Sequence, residues 1–147
     1  LNNEVTIQSL RELGISFRRA ILSIPSEKFI NSSWFNNYPR GCCGDTSDLF
    51  SKYLNSKGIE VIYVWGFKGE QSHAWLEYHD IIIDLTADQF PDVNEEVVIT
   101  KRRNWYDAIA IQNKSKNDFE SYPAYNSVRL RNIYDNILLE LSKQKKT

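Results

Sequence analysis

Gly41-Cys42-Cys43-Gly44-Asp45-Thr46-Ser47-Asp48-Leu49-Phe50-Ser51-Lys52-Tyr53-Leu54 runs a glycine-flanked cysteine pair straight into an amphipathic helix. The pattern predicts a helix over residues 44 to 57, capped by Asp45 or Thr46, with Gly58 just past its last turn. Cys43, Ser47, Phe50 and Leu54 share one stripe of that helix. Cys42 falls about 100° away, in line with Thr46, Leu49 and Tyr53. Both stripes touch apolar residues, so periodicity does not choose between the two thiols. The glycines leave room for a substrate beside the backbone. A helix N-terminus adds unpaired N–H groups and partial positive charge, both of which favour a thiolate.

Downstream the apolar period becomes that of strands. Val61, Tyr63 and Trp65 alternate with Ile62 and Val64 before Gly66, predicting a mostly buried strand. Lys68 to Gln71 make a turn. Ser72 to Tyr78 and Ile81 to Leu85 then form a hairpin around His79 and Asp80. Alternation places His73, Trp75 and Glu77 on one strand face. A two- or four-residue hairpin loop brings Asp84 to that face, opposite His73 or one pair along. A carboxylate there fixes the imidazole tautomer and stabilises its charged form. The other ring nitrogen faces whatever covers that strand face, and the helix bearing the thiol is expected to pack there. A free thiol titrates near about 8.5; an imidazolium and a helix N-terminus can bring a cysteine to roughly 3.5–7.5. The thiolate attacks a carbonyl carbon, the histidine protonates the leaving group, and the first helix N–H groups, that of Cys43 included, hold the oxyanion. Asn36, Asn37 and Gln71 are the candidates for a second oxyanion donor.

The flanking segments frame this centre. Residues 4 to 24 read as a packing helix with Leu10, Leu13, Phe17, Ile21 and Ile24 inward and Arg11, Arg18 and Arg19 on the other face. Residues 26 to 41 are rich in turn formers and carry Trp34, Phe35 and Tyr38, a candidate wall of the site. Residues 86 to 95 are loop, and Val97 to Ile99 a further strand. Lys101, Arg102 and Arg103 are the solvated end of that strand. Residues 112 to 126 read as a long polar loop and a candidate substrate lid. Residues 127 to 142 form a closing helix with Leu130, Ile133, Tyr134, Ile137, Leu138 and Leu141 inward. Lys143, Lys145 and Lys146 complement its C-terminal dipole.

Composition sets outer bounds. The 147 residues, 41% hydrophobic and 25% charged, fit one domain spanning 1–147 with its own core. A net charge of −1 offers no basic field for nucleic acid or an anionic membrane. Adjacent cysteines seldom pair with each other, so no disulfide framework is expected, which suits a reducing, cytoplasmic setting. No signal peptide or membrane-length apolar run is evident. The chain starts at Leu1 and has no methionine, which suggests an excised domain, a processed chain or altered methionines. Cys42, Cys43, His73 and His79 could in principle ligate zinc, but adjacent cysteines are poor tetrahedral chelators, so neither metal nor cofactor is expected.

Gly-Cys-Cys-Gly-Asp-Thr-Ser-Asp-Leu-Phe resembles the nucleophile segment of the transglutaminase-like branch of the papain-like cysteine protease superfamily, where a glycine precedes a Cys-x-Asp-x-Ala/Ser run that starts the helix. His73-Ala74-Trp75-Leu76-Glu77 is similar to that family's His-Ala-Trp-Val-Glu strand, and Asp84-Leu85-Thr86 to its Asp-x-Thr strand end. The likeness covers about residues 41 to 90. It implies an α+β fold, with a nucleophile helix packed on an antiparallel sheet and helices flanking it N- and C-terminally. It selects Cys43 over Cys42, because Asp45 and Ser47 then fall in register. It implies Cys43 as nucleophile, His73 as base and acid, and Asp84 as orienter. The short Cys-to-His interval, without calcium-site insertions, is closer to compact relatives such as leader peptidases of lasso-peptide pathways. Cys42 is an unusual extra, and Ala87-Asp88-Gln89-Phe90 matches no general family feature. The implied activity is cysteine-dependent acyl transfer on an amide of a protein or peptide, foremost peptide hydrolysis. Glutamine deamidation and transglutaminase-type transfer share the acyl-enzyme step. The rival from another class is an inactive binding module that keeps the core and the Trp65 and Trp75 surfaces.

Overall fold

The computed structural model describes residues 4 to 145. Among these, four α-helices and a five-stranded antiparallel sheet make an α+β fold. In chain order they are α1 (Ile7–Ser23), α2 (Cys43–Ser56), β1 (Ile62–Lys68), β2 (Gln71–Tyr78), β3 (Ile81–Asp84), β4 (Val98–Thr100), α3 (Asn104–Asp107), β5 (Ala110–Ser115) and α4 (Ala124–Gln144). The strands lie in the order β4-β3-β2-β1-β5.

Helix α1 begins later than the periodicity suggests. Thr6 caps it, its side chain accepting from the Ser9 N–H while the Ser9 hydroxyl accepts from the Thr6 N–H. Two orphan donors are satisfied at once, so Glu4 and Val5 stay outside. α2 begins earlier than expected. Cys42, not Asp45 or Thr46, is its N-cap residue, and the Cys42 carbonyl accepts from the Thr46 N–H at 2.8 Å. Gly41, at φ +71°, makes the turn that lets the helix start there. Gly58, at φ +78°, follows the helix as predicted.

The hairpin closes with a two-residue loop, His79 and Asp80, pairing Tyr78 with Ile81. This register aligns Asp84 one pair along from His73, on the same face. β1 is longer than its apolar run because it continues to Lys68 and carries β5 on its far side. β5 corrects the expected lid: residues 110 to 115 form an exposed edge strand, not a loop over the site. Main-chain pairing with Trp65–Phe67 and Tyr63 holds this strand, so Ala-Ile-Gln-Asn-Lys-Ser shows no apolar alternation to announce it. Phe119, in the short turn that follows, is buried and T-stacked on Tyr134 of α4.

Two apolar layers flank the sheet. α1, α2 and α4 bury Phe17, Leu49, Phe50, Leu54, Ile133 and Ile137 against Leu76 and Ile83. The other face carries Val64, Trp75 and Ile82, covered by Ala87, Tyr106 and Ile109. Trp75 therefore presents no surface: it is fully buried and its indole N–H donates to Glu77. Arg18 and Leu138 also depart from expectation. Leu138 is 40% exposed, because the inward stripe of α4 runs through Leu130, Ile133, Tyr134, Ile137 and Leu141. Arg18 is buried instead of solvated, because the 85–96 loop folds over α1 and supplies its partners. Lys143 pairs with Glu140, and Lys146 lies outside the described residues. Among the described residues no helix is long and apolar enough to cross a membrane.

Gly66 sits at a register shift between β1 and β5, where a Cβ would lie 2.4 Å from the Ala110 carbonyl oxygen and 2.8 Å from the Ile111 Cα. Backbone cannot yield as a side-chain tip does. Gly66→Ala is expected to cost about 1–3 kcal/mol, read as a lowered midpoint in denaturant at an unchanged slope.

Candidate active site

The first residue of α2 and the first residues of β2 meet at one end of the sheet. A cleft of about 460 Å³ opens there, lined by Cys43 and Gly44 of α2, Gln71 to Ala74 of β2, Tyr63 and Trp65 of β1, Trp34, and Gln89. The body of α2 packs on the Leu76–Ile83 face, opposite the face that carries His73. The expectation that α2 would cover the His73 face is therefore corrected. Only the N-terminal end of the helix reaches the imidazole. The covering layer is aromatic: Phe90 and Trp105 meet the ring edge-on at 5.1 and 5.9 Å, and Trp75 stacks on it at 5.8 Å.

His73 and Asp84 form a buried pair, with Nε2 2.6 Å from Asp84 Oδ2. The same oxygen accepts from the Tyr106 hydroxyl at 2.8 Å. Asp84 Oδ1 accepts from the Thr86 N–H at 3.0 Å and from the Thr86 hydroxyl at 3.4 Å. Both oxygens of the carboxylate are thus engaged, as a buried carboxylate requires. Burial opposes charge on His73, but the charge and hydrogen bond of Asp84, helped by Cys43, outweigh it and push the ring up to about 9. Burial, then the Asp84 charge, pushes the Tyr106 phenol strongly upward, so it remains a donor. Nε2 is committed to Asp84, which leaves Nδ1 for the cleft.

The two thiols part company here. Cys43 is half-buried and lines the cleft with His73. Cys42 is fully buried, its sulfur 3.4 Å from the Arg40 carbonyl and 3.6 Å from that of Trp34. Burial, followed by the charges of Asp45 and Cys43, pushes Cys42 up to about 12. It is a core thiol. The Cys43 and Gly44 N–H groups lie in the first turn of α2, where the helix supplies no acceptors. Of the three expected second donors, Gln71 lines the cleft, whereas Asn36 and Asn37 do not. His79 caps the hairpin at φ +52°, and among the described residues no three His, Cys, Asp or Glu side chains are grouped to hold a metal.

Several supporting residues gave no sequence signal. Arg129 of α4 grips Asp45 through two hydrogen bonds, 2.7 and 3.0 Å, and donates to the Ser32 hydroxyl. The Trp34 indole N–H also donates to Asp45, and Arg129 lies over the Trp34 ring at 4.9 Å. This cluster ties the start of α2 to α4 and to the cleft wall at Trp34, and it pairs the Asp45 carboxylate with a cation. On the other side, Arg18 donates to both Asp88 oxygens, at 2.8 and 2.7 Å, and to the Leu85 and Glu96 carbonyls. That clasp sets the short turn Ala87–Gln89, which delivers Gln89 and Phe90 to His73. Gln89 of this segment thus lines the cleft with His73. Charge partners 70 and 84 residues apart leave no local pattern to find. Lys101 and Arg103 of the basic run pair with Asp80 and Glu77.

No family model matches the chain, and no curated protein or solved structure matches it either.

Proposed function

We propose that the chain is a cysteine-dependent acyl-transfer enzyme with a papain-like core of the transglutaminase-like branch, acting on an amide of a peptide or protein. The observation that carries this is the buried His73–Asp84 pair, which leaves His73 Nδ1, beside the Gln89 amide, on the cleft that the helix-start thiol of Cys43 also lines. The thiolate of Cys43 attacks the carbonyl carbon; a C–S bond forms and the carbonyl electrons move to oxygen, beside the N–H groups of Cys43 and Gly44. As the tetrahedral species collapses, the C–N bond breaks and His73 Nδ1 gives its proton to the departing nitrogen. Water then attacks the thioester, His73 takes its proton, and the thiolate leaves. Hydrolysis is the foremost outcome; with an ammonia leaving group the same steps are deamidation, and with an amine in place of water they are transfer. Free thiols and the absence of a basic field support a reducing compartment and a non-nucleic-acid substrate.

Alkylation by iodoacetamide between pH 5 and 9 tests the reading. A thiol activated by His73 should react at pH 6 at least about tenfold faster than a free cysteine. His73→Ala should abolish that advantage. Equal, slow labelling of both forms would mean a binding module without the chemistry.

A further inference from the structure

The Gln89 side chain lines the cleft and addresses the nitrogen of His73 that Asp84 leaves free. Its Nε2 lies 3.3 Å from Nδ1. Its Oε1 is buried and, among the described residues, has no hydrogen-bond partner. That arrangement suits one state of the ring only. A neutral ring with its proton on Nε2 has a lone pair at Nδ1 and accepts from the amide. A charged ring carries N–H at both positions, and an amide NH₂ then opposes it. Half a turn of the carboxamide exchanges oxygen and nitrogen while the rest of the side chain stays in place. It would give Nδ1–H an acceptor and Oε1 the partner it lacks. A buried acceptor left unpaired is costly enough to need such an explanation.

We infer that Gln89 is a positioning residue for His73, presenting Oε1 to a protonated Nδ1 and, after half a turn of its carboxamide, Nε2 to a deprotonated one. The inference rests on the proposed acyl-transfer cycle, in which the Nδ1 proton leaves and returns in every turnover while Asp84 holds Nε2. A side chain able only to donate would oppose the imidazolium, and a carboxylate would lock it. An amide serves both states and keeps the ring in place. The turn that bears Gln89 is itself fixed by Asp88 on Arg18. The titratable groups facing the ring are Cys43 from α2 and Asp84 from β3, with Tyr106 of α3 behind Asp84. Phe90, Trp75 and Trp105 complete its surroundings, and Lys68 lies beyond the Trp105 ring.

The test is an NMR titration of the full ¹⁵N-labelled chain, following the His73 ring nitrogens and the Gln89 carboxamide together. The carboxamide resonances should titrate with the His73 midpoint. In Gln89→Leu that midpoint should fall by about 0.5–1 pH unit, because the bond lost from the charged ring is the stronger of the two. Gln89→Glu, which can only accept, should bring it to the wild-type value or above. Carboxamide resonances indifferent to the His73 titration overturn the inference. So does an unchanged or raised midpoint in Gln89→Leu, the mark of a bystander or of an amide that only donates. The readout is independent of catalysis: an unreactive Cys43 would defeat the acyl-transfer reading in the alkylation experiment and leave this titration intact.

Discussion

Cys43→Ala should abolish acyl-enzyme formation, and Cys42→Ser should leave it largely intact. The two thiols are neighbours in sequence and opposites in environment. Cys43 lies at the first helical residue of α2, half-buried and on the cleft that His73 shares. Cys42 points into the core, hydrogen-bonded to carbonyl oxygens and held in its neutral form by burial. A buried neutral thiol is neither a nucleophile nor accessible to one. Removing a catalytic nucleophile costs on the order of 10⁴–10⁶ in turnover, whereas serine at position 42 keeps a donor for the Arg40 and Trp34 carbonyls. A p-nitrophenyl ester burst, with the adduct mapped by peptide mass spectrometry, separates the cases. Wild type and Cys42→Ser should release close to one equivalent, with the acyl group on Cys43. Cys43→Ala should release none. A burst retained in Cys43→Ala, or an adduct on Cys42, would reverse the assignment.

How much of this was legible in the sequence follows from the range of the forces involved. The hairpin was readable because strand alternation and a two-residue turn are local, and they fix Asp84 on the face of His73. The helix-start cysteine is readable for the same reason, although the cap lies three or four residues before the polar residues that suggest it, since a positive-φ glycine and not a polar side chain starts the helix. What surrounds the pair was not readable. Arg18 has the spacing of a surface residue and becomes buried only because a loop some 70 residues later brings Asp88 and two carbonyls to it. Arg129 reaches Asp45 in the same long-range way. β5 reads as loop in the sequence because an exposed edge strand needs no apolar face, only a neighbour to pair with. Which face α2 covers is likewise a tertiary outcome: its apolar stripe records that it packs, not on what.

Asp84→Asn should lower turnover by about 10³–10⁴ while the domain stays folded. The argument lies in the count of donors. Four groups donate or lie in reach of the Asp84 oxygens: the His73 ring, the Tyr106 hydroxyl, and the N–H and hydroxyl of Thr86. A carboxylate only accepts and suits them all; an asparagine of the same shape must turn an NH₂ toward one side. If it faces Thr86, a backbone N–H in the core loses its acceptor at a cost of about 1–3 kcal/mol. If it faces His73, the ring responds by moving its proton to Nδ1, so that Nε2 can accept. Nδ1 then has no lone pair to take a proton from Cys43 or from water. The second choice keeps the buried Thr86 N–H paired, at the cost that the Tyr106 hydroxyl, which shares Oδ2 with His73, must turn to accept from the NH₂ instead of donating, and it is the one that stops catalysis. Loss of the Asp84 charge also removes the main influence that lifts His73 to about 9, so its midpoint should fall. Three measurements on one variant decide the matter: turnover, thermal unfolding, and the ¹⁵N shifts of His73. Lost turnover with a modest loss of stability and an Nδ1–H ring supports the orienting role. Unfolding at unchanged specific activity would make Asp84 a strand-end cap and nothing more. Tyr106→Phe provides the graded control, since it removes one donor, leaves the carboxylate charged, and should cost less than about tenfold in turnover.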